Sequence, residues 1–154
     1  YVTLEALVLK LNYKDKTDSE ISDFVYKFCE EKLQKVINKS FADFADKTFS
    51  FENQMVMKLE NIGSNSVVVG KKKYCMAVLN SEGVKYDKPK IKVVGIEVVR
   101  SSTPKSCRNT LKNTIETILL KDEETLQTQV KDYRKEFMKL SFEEIAFNLS
   151  SKEG

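Results

Sequence analysis

The residues best equipped for chemistry stand together at Gly70-Lys71-Lys72-Lys73-Tyr74. Three ammonium groups followed by a phenol can meet phosphate oxygens, sugars, groove acceptors and base edges. The apolar run Val67-Val68-Val69 precedes them, and Met76, Val78 and Leu79 follow, so the segment is expected to be extended. Side chains alternate along a strand, which would place Lys72 and Tyr74 on one face and Lys71 and Lys73 on the other. Lysine runs also occur on exposed edge strands, where they discourage aggregation, so the tetrapeptide alone is equally compatible with a solvated strand.

The surrounding charge sharpens that choice. Between Lys71 and Lys112 there are 11 Lys/Arg against 3 acids, a local +8, whereas the other residues hold 15 basic and 20 acidic groups, a local −5. The formal net charge of +3 therefore conceals a basic segment of the kind a phosphate-binding surface needs. The chain contains no histidine, which removes Ser-His-Asp triads, Cys/His nucleophile pairs and mixed Cys/His zinc sites. Its cysteines, Cys29, Cys75 and Cys107, form no close-spaced pair and are odd in number. They are read as small core hydrophobes rather than a disulfide framework. Glu5, Asp15 and Asp18 have no spacing suited to holding two metal ions.

These side chains need a scaffold, and the 154 residues are enough for one domain with its own core. Hydrophobic residues make up 41% and charged residues 32%, and no apolar stretch approaches a membrane span, so a cytosolic chain is expected. Residues 1–9 read as a strand entered midway, as if the chain were cut from something longer. Thr17 and Glu20 fit a capping box, in which the hydroxyl and the carboxylate each accept from the other's backbone N–H. From Ile21 to Phe44 apolar residues fall near a 3.6-residue period, predicting a long amphipathic helix over about 18–46. Alternation predicts strands over 49–59, a turn at Gly63-Ser64-Asn65-Ser66, and a β-branched strand at Val67-Val68-Val69. Ser81-Glu82-Gly83 should reverse the chain, and Lys88-Pro89 should precede a further strand over 91–94. Thr103 is the expected N-cap of the next helix with Pro104 as its first residue. A following helix begins near Asp122, and Ile145, Phe147 and Leu149 close the chain as a strand. The order β-α-β-β-β-α-α-β implies a single α+β domain, mainly antiparallel sheet packed against three helices.

Several blocks in order resemble the family B DNA polymerases. Val67-Val68-Val69-Gly70-Lys71-Lys72-Lys73-Tyr74 is similar to that family's Gly-Lys-Lys-Arg-Tyr segment. Glu82-Gly83-Val84-Lys85-Tyr86, Pro89-Lys90-Ile91-Lys92, Gly95-Ile96-Glu97 and Ser101-Ser102-Thr103-Pro104-Lys105 resemble its T-even-type bacteriophage branch. The likeness is good over 56–149 and thin over 10–55. It implies the C-terminal part of a polymerase palm domain, following the hairpin that bears the catalytic Asp-Thr-Asp and lacking that hairpin, the fingers, the exonuclease and the thumb. On this resemblance Lys72 and Tyr74 would contact the minor groove of primer–template DNA, with Lys71 and Lys73 supporting the backbone electrostatically. Glu60, at the end of the expected strand Lys58-Leu59-Glu60, could sit near the metal site of the parent enzyme; the bland reading is a strand-end carboxylate paired with a lysine. Lys73 departs from the usual Arg, keeping the charge but losing the planar fork. Lys58 replaces an acid common in the phage branch.

The resemblance further implies primer–template DNA and the remaining polymerase domains as partners, no membrane, and the cytoplasm of a host cell. Mg²⁺ and deoxynucleoside triphosphates would serve the parent nucleotidyltransferase during DNA replication. The segment itself is expected to hold no cofactor and to be inactive alone, and its uncovered surfaces could bring two copies together. Two other readings remain: a stand-alone nucleic-acid-binding α+β module without catalysis, and a structural or protein-interaction domain whose lysines are merely solvated.

Overall fold

A computed structural model describes residues 4–10, 15–49 and 51–146. In chain order the elements are α1 (Glu5–Lys10), α2 (Asp18–Phe28), a π-helical turn (Cys29–Leu33), α3 (Gln34–Lys47), β1 (Asn61–Gly70), β2 (Lys73–Ser81), β3 (Val84–Val94), a 3₁₀ turn (Glu97–Val99), α4 (Lys105–Leu120), α5 (Glu123–Phe137) and α6 (Phe142–Ile145). The strands form one antiparallel sheet of order β1-β2-β3, and with the helices make an α+β fold. No helix among the described residues is long and apolar enough to cross a membrane.

The chain divides into two compact units, residues 1–64 with 78–89, and residues 65–77 with 90–154. In the first unit the capping box at Thr17 forms as expected: Glu20 N–H donates to Thr17 Oγ1, and Thr17 N–H donates to the Glu20 carboxylate at 3.0 Å. The long helix also forms, but not as one uninterrupted α-helix. Its apolar pattern steps by five residues from Phe28 to Leu33, and there the π turn inserts its extra residue. In the same unit Glu82 and Gly83 make a tight turn with both φ angles positive, 50° and 86°, the conformation that matches the twist of a hairpin. Asn80 Oδ1 accepts from Gly83 N–H at 3.0 Å, and a Cβ on Gly83 would lie 3.1 Å from the Tyr26 hydroxyl.

The second unit is built on a small core of Cys75, Ala77, Val98, Ile115 and Leu119, flanked by Ile91, Val93, Ile96 and Leu111. Cys75 and Ala77 alternate on β2 and so face the core together, leaving Tyr74 and Met76 on the opposite face. Asn65 of β1 donates to the Leu119 carbonyl at 2.7 Å, satisfying one of the acceptors that the end of α4 leaves open. α5 starts near Asp122 as expected, and Asp122 caps it, accepting from Thr125 N–H. Burial and the neighbouring Cys107 thiol push the Tyr133 phenol on α5 up to about 12. Cys75 is buried and its thiol is pushed up by desolvation, in keeping with a small core hydrophobe.

Several expected elements differ. The strand predicted over residues 1–9 is helix from Glu5 to Lys10, and residues 1–3 lie outside the described region. Alternation over 49–59 produces no strand in the described residues, because alternation alone provides no partner for the backbone groups. The turn expected at Gly63-Ser64-Asn65-Ser66 is the middle of β1, whose ladder uses the backbone that turn residues would otherwise bend. Pro89 does not delay a new strand but lies within β3, an edge strand, where a missing N–H is tolerated. Thr103 does not cap α4: its hydroxyl donates to the Glu97 carbonyl, and Pro104 occupies the N-cap position. Ile145, expected to open a closing strand, ends α6, which Ser141 and Glu144 start with a second capping box. Phe147 and Leu149 lie outside the described residues.

Candidate nucleic-acid interface

The basic tetrapeptide folds as a hairpin tip. β1 ends at Gly70 and β2 begins at Lys73, so Lys71 and Lys72 are the two residues of the turn. The alternation expected from Lys71 through Tyr74 therefore begins only at Lys73. Lys73 shares the parity of Cys75 and Ala77, and Tyr74 points to the other side of the strand. Lys72 and Tyr74 are not two successive positions on one strand face; the shared-face argument fails because the chain turns between them.

Lys72 adopts a left-handed conformation, φ 60°. A residue with a Cβ normally avoids this region, at a cost of roughly 1–2 kcal/mol, so neighbouring structure must hold it there. That structure is the segment following β3. Gly95, φ 65°, lies directly against the turn, and a Cβ there would be 2.1 Å from the Lys72 carbonyl oxygen and 3.3 Å from Lys73 Cγ. Two residues on, the Glu97 carboxylate pairs with Lys73 Nζ at 3.6 Å and with the Arg100 guanidinium at 3.9 Å. Its carboxyl is held below the ordinary glutamate value, first by its own backbone N–H and then by the charge of Lys73.

The supporting loop is tied down in turn. Val98 is buried in the same core as Cys75 and Ala77. Arg108 of α4 donates to the Thr103 and Ser101 carbonyls at 2.8 and 2.9 Å, so its guanidinium is committed to the backbone. The four residues of the basic segment thus separate by role. Lys71 and Lys72 are exposed, and their side chains make no hydrogen bond or ion pair among the described residues. Lys73 is half-buried and paired with Glu97, and Tyr74 is half-buried on the face away from the core. What the arrangement can do is present two mobile ammonium groups on a fixed backbone, with a phenol behind them.

Glu60 is not part of this group. It belongs to the other compact unit, just before β1, whereas the basic turn follows the end of β1. Its side chain is exposed and accepts from Asn61 Nδ2 at 3.0 Å, while its backbone carbonyl accepts from Glu82 N–H at 2.8 Å. Among the described residues no set of three or more Cys, Asp or Glu could hold a metal ion. Sequence reasoning gave Gly95 and Glu97 no supporting role. The available signal was a glycine directly after the β-branched pair Val93-Val94, where a strand must end in a conformation other residues resist.

No family model matches the chain. It is 28% identical over 155 aligned positions to the DNA-directed DNA polymerase of Enterobacteria phage T4, covering 95% of this chain and 17% of that protein. It is 32% identical over 132 positions to the DNA-directed DNA polymerase of Escherichia phage RB69, covering 80% of this chain and 15% of that protein. The chain spans about one sixth of the length of these relatives. Along most of its length it is therefore similar to one segment of the phage DNA-directed DNA polymerases, the group its own Gly-Lys-Lys-Lys-Tyr block resembles.

Proposed function

We propose that this chain is a palm segment of a phage-type DNA polymerase and that it holds primer–template duplex through the hairpin tip at Lys71 and Lys72, with Tyr74 behind them. The observation that carries this reading is the pair of exposed, unpaired lysines on a backbone fixed from below, in a chain similar to polymerases over most of its length. A hairpin tip can approach the minor groove, whose acceptors are much alike for every base pair, and so can grip DNA without selecting a sequence. The partners are primer–template DNA and the other domains of the polymerase, in the cytoplasm of an infected host. The parent enzyme uses Mg²⁺ for nucleotidyl transfer, with its metal-holding carboxylates outside the described residues.

The test is duplex binding by fluorescence anisotropy across a salt series. Each phosphate contact contributes a slope of about 0.9 in log K against log salt. Lys71→Ala and Lys72→Ala are each expected to lower affinity to the same degree on unrelated duplex sequences and to flatten that slope by about one contact. Unaltered affinity and slope in the double variant would remove the proposed role.

A further inference from the structure

Three charges lie in a row, yet the structure treats them differently, and the difference comes from a segment more than twenty residues downstream. We propose that Gly95 and Glu97 are positioning residues for the basic turn, and that Lys73 is their anchor rather than a DNA contact. This rests on the duplex-holding reading of Lys71 and Lys72.

The first observation is steric. The Lys72 carbonyl occupies the space where any other residue at 95 would carry its Cβ, at a separation of 2.1 Å that no pair of such atoms can keep. The nearest atoms are backbone, with the Lys72 carbonyl carbon at 3.2 Å, so a rotamer change cannot relieve the clash. The backbone of the turn, or of the segment beneath it, has to move. Gly95 itself has φ 65°, a second reason for glycine at this position.

The second observation is electrostatic and independent of the first. Glu97 receives Lys73 at 3.6 Å, fixing the residue directly after the turn. Its own position is set from within the same unit: the Glu97 carbonyl accepts from the Thr103 hydroxyl, and Val98 next to it is buried in the core. The turn is therefore held at two points on one rigid segment. Lys72 can keep its left-handed conformation because its carbonyl is seated on Gly95 and the next side chain is tethered. The two exposed ammonium groups then leave a backbone of defined direction, which reduces the ordering that duplex binding would otherwise require.

The test compares Gly95→Ala and Glu97→Gln with the Lys71→Ala/Lys72→Ala double variant in duplex binding across the salt series. Backbone ¹⁵N–¹H spectra of the DNA-free chain provide a second readout. Gly95→Ala is expected to weaken duplex binding about tenfold and flatten the salt slope by one contact or more, since a displaced turn no longer brings both ammonium groups to phosphate. Glu97→Gln should do the same to a smaller extent. In the spectra both variants should shift the Lys72 and Lys73 amides while those of Ile115 and Leu119 stay in place. If the double lysine variant weakens binding but Gly95→Ala and Glu97→Gln bind with parent affinity and slope, the positioning role is overturned and the duplex-holding role survives. If the double lysine variant binds as the parent does, the duplex-holding role fails, and amides of Lys72 and Lys73 unmoved in both variants would then also remove the cradle. Should Gly95→Ala fail to fold, Glu97→Gln alters only an exposed side chain and carries the comparison.

Discussion

Lysine at three successive positions is one residue type with two environments. Lys71 and Lys72 extend into solvent from a turn, whereas Lys73 lies at the start of a strand with a carboxylate within reach. Strand alternation set Lys72 apart from Lys71 and Lys73, but the actual separation depends on where the turn falls and on which residue returns beneath it. The ion pair is exposed on both sides, and pairs of this kind contribute little to stability. Their value here is geometric. Because Glu97 has its folded value lowered, the ionised form and its grip on Lys73 are fully present above the ordinary glutamate value of 4.5, and are lost as pH falls through the lower folded value. Carboxyl ¹³C titration should show Glu97 protonating at lower pH than an unperturbed glutamate. Lys73→Ala should return its midpoint only part of the way, because the largest cause is the backbone N–H of Glu97 itself. A full return would mean that Lys73 provides all of the stabilisation; no change would mean that the pair does not form in solution.

Among the elements, those with a local chemical signature were legible and those defined by distant partners were not. Thr17 with Glu20 is a helix start that the sequence names because both cap partners lie within three residues, and α5 starts where the sequence places it, near Asp122. The five-residue apolar step at Phe28–Leu33 is also local, and marks the π turn in retrospect. β1 was obscured because Gly63, Ser64, Asn65 and Ser66 favour turns when nothing else claims their backbone. Here β2 claims it, and the Asn65 side chain is drawn to the last turn of α4. That contact can be weighed. Asn65→Ala leaves the Leu119 carbonyl without its donor in a half-buried place, a loss of about 1 kcal/mol by the usual value of such a bond. Thermal denaturation should record a lower midpoint with little change in the circular dichroism of the folded state. A midpoint equal to that of the parent would show that water replaces the amide without loss.

At the scale of the molecule, charge and core are distributed unevenly, and the proposed DNA contact lies in the uneven part. The basic segment read from the sequence, Lys71 to Lys112, falls largely within the second compact unit, the one that also contains the turn, its cradle and the Cys75–Leu119 core. Cys75 and Ala77 on β2 and Val98 beside Glu97 pack into that core, so the strand that leaves the turn and the loop that supports it are held by the same few side chains. Leu119 is only 3% exposed and its backbone also receives Asn65, which makes it the residue through which core and sheet can be perturbed together. Truncation to alanine at such a site costs about 2–5 kcal/mol, the range reflecting how far neighbours can collapse into the space. The second unit has few buried residues to share that loss, so Leu119→Ala is expected to release the cradle at temperatures where the parent still holds it. Val25 in the first unit, 8% exposed, provides the comparison: Val25→Ala removes buried apolar surface from that unit. Duplex binding followed during heating should fall earlier for Leu119→Ala than for the parent, and the fall should coincide with loss of the Lys72 and Lys73 amide signals. Val25→Ala should lower the melting of its own unit while those two signals and duplex affinity persist to higher temperature than in Leu119→Ala. Equal early loss of binding in both variants would show that the grip on DNA depends on the chain melting as one cooperative body rather than on the core beneath the turn.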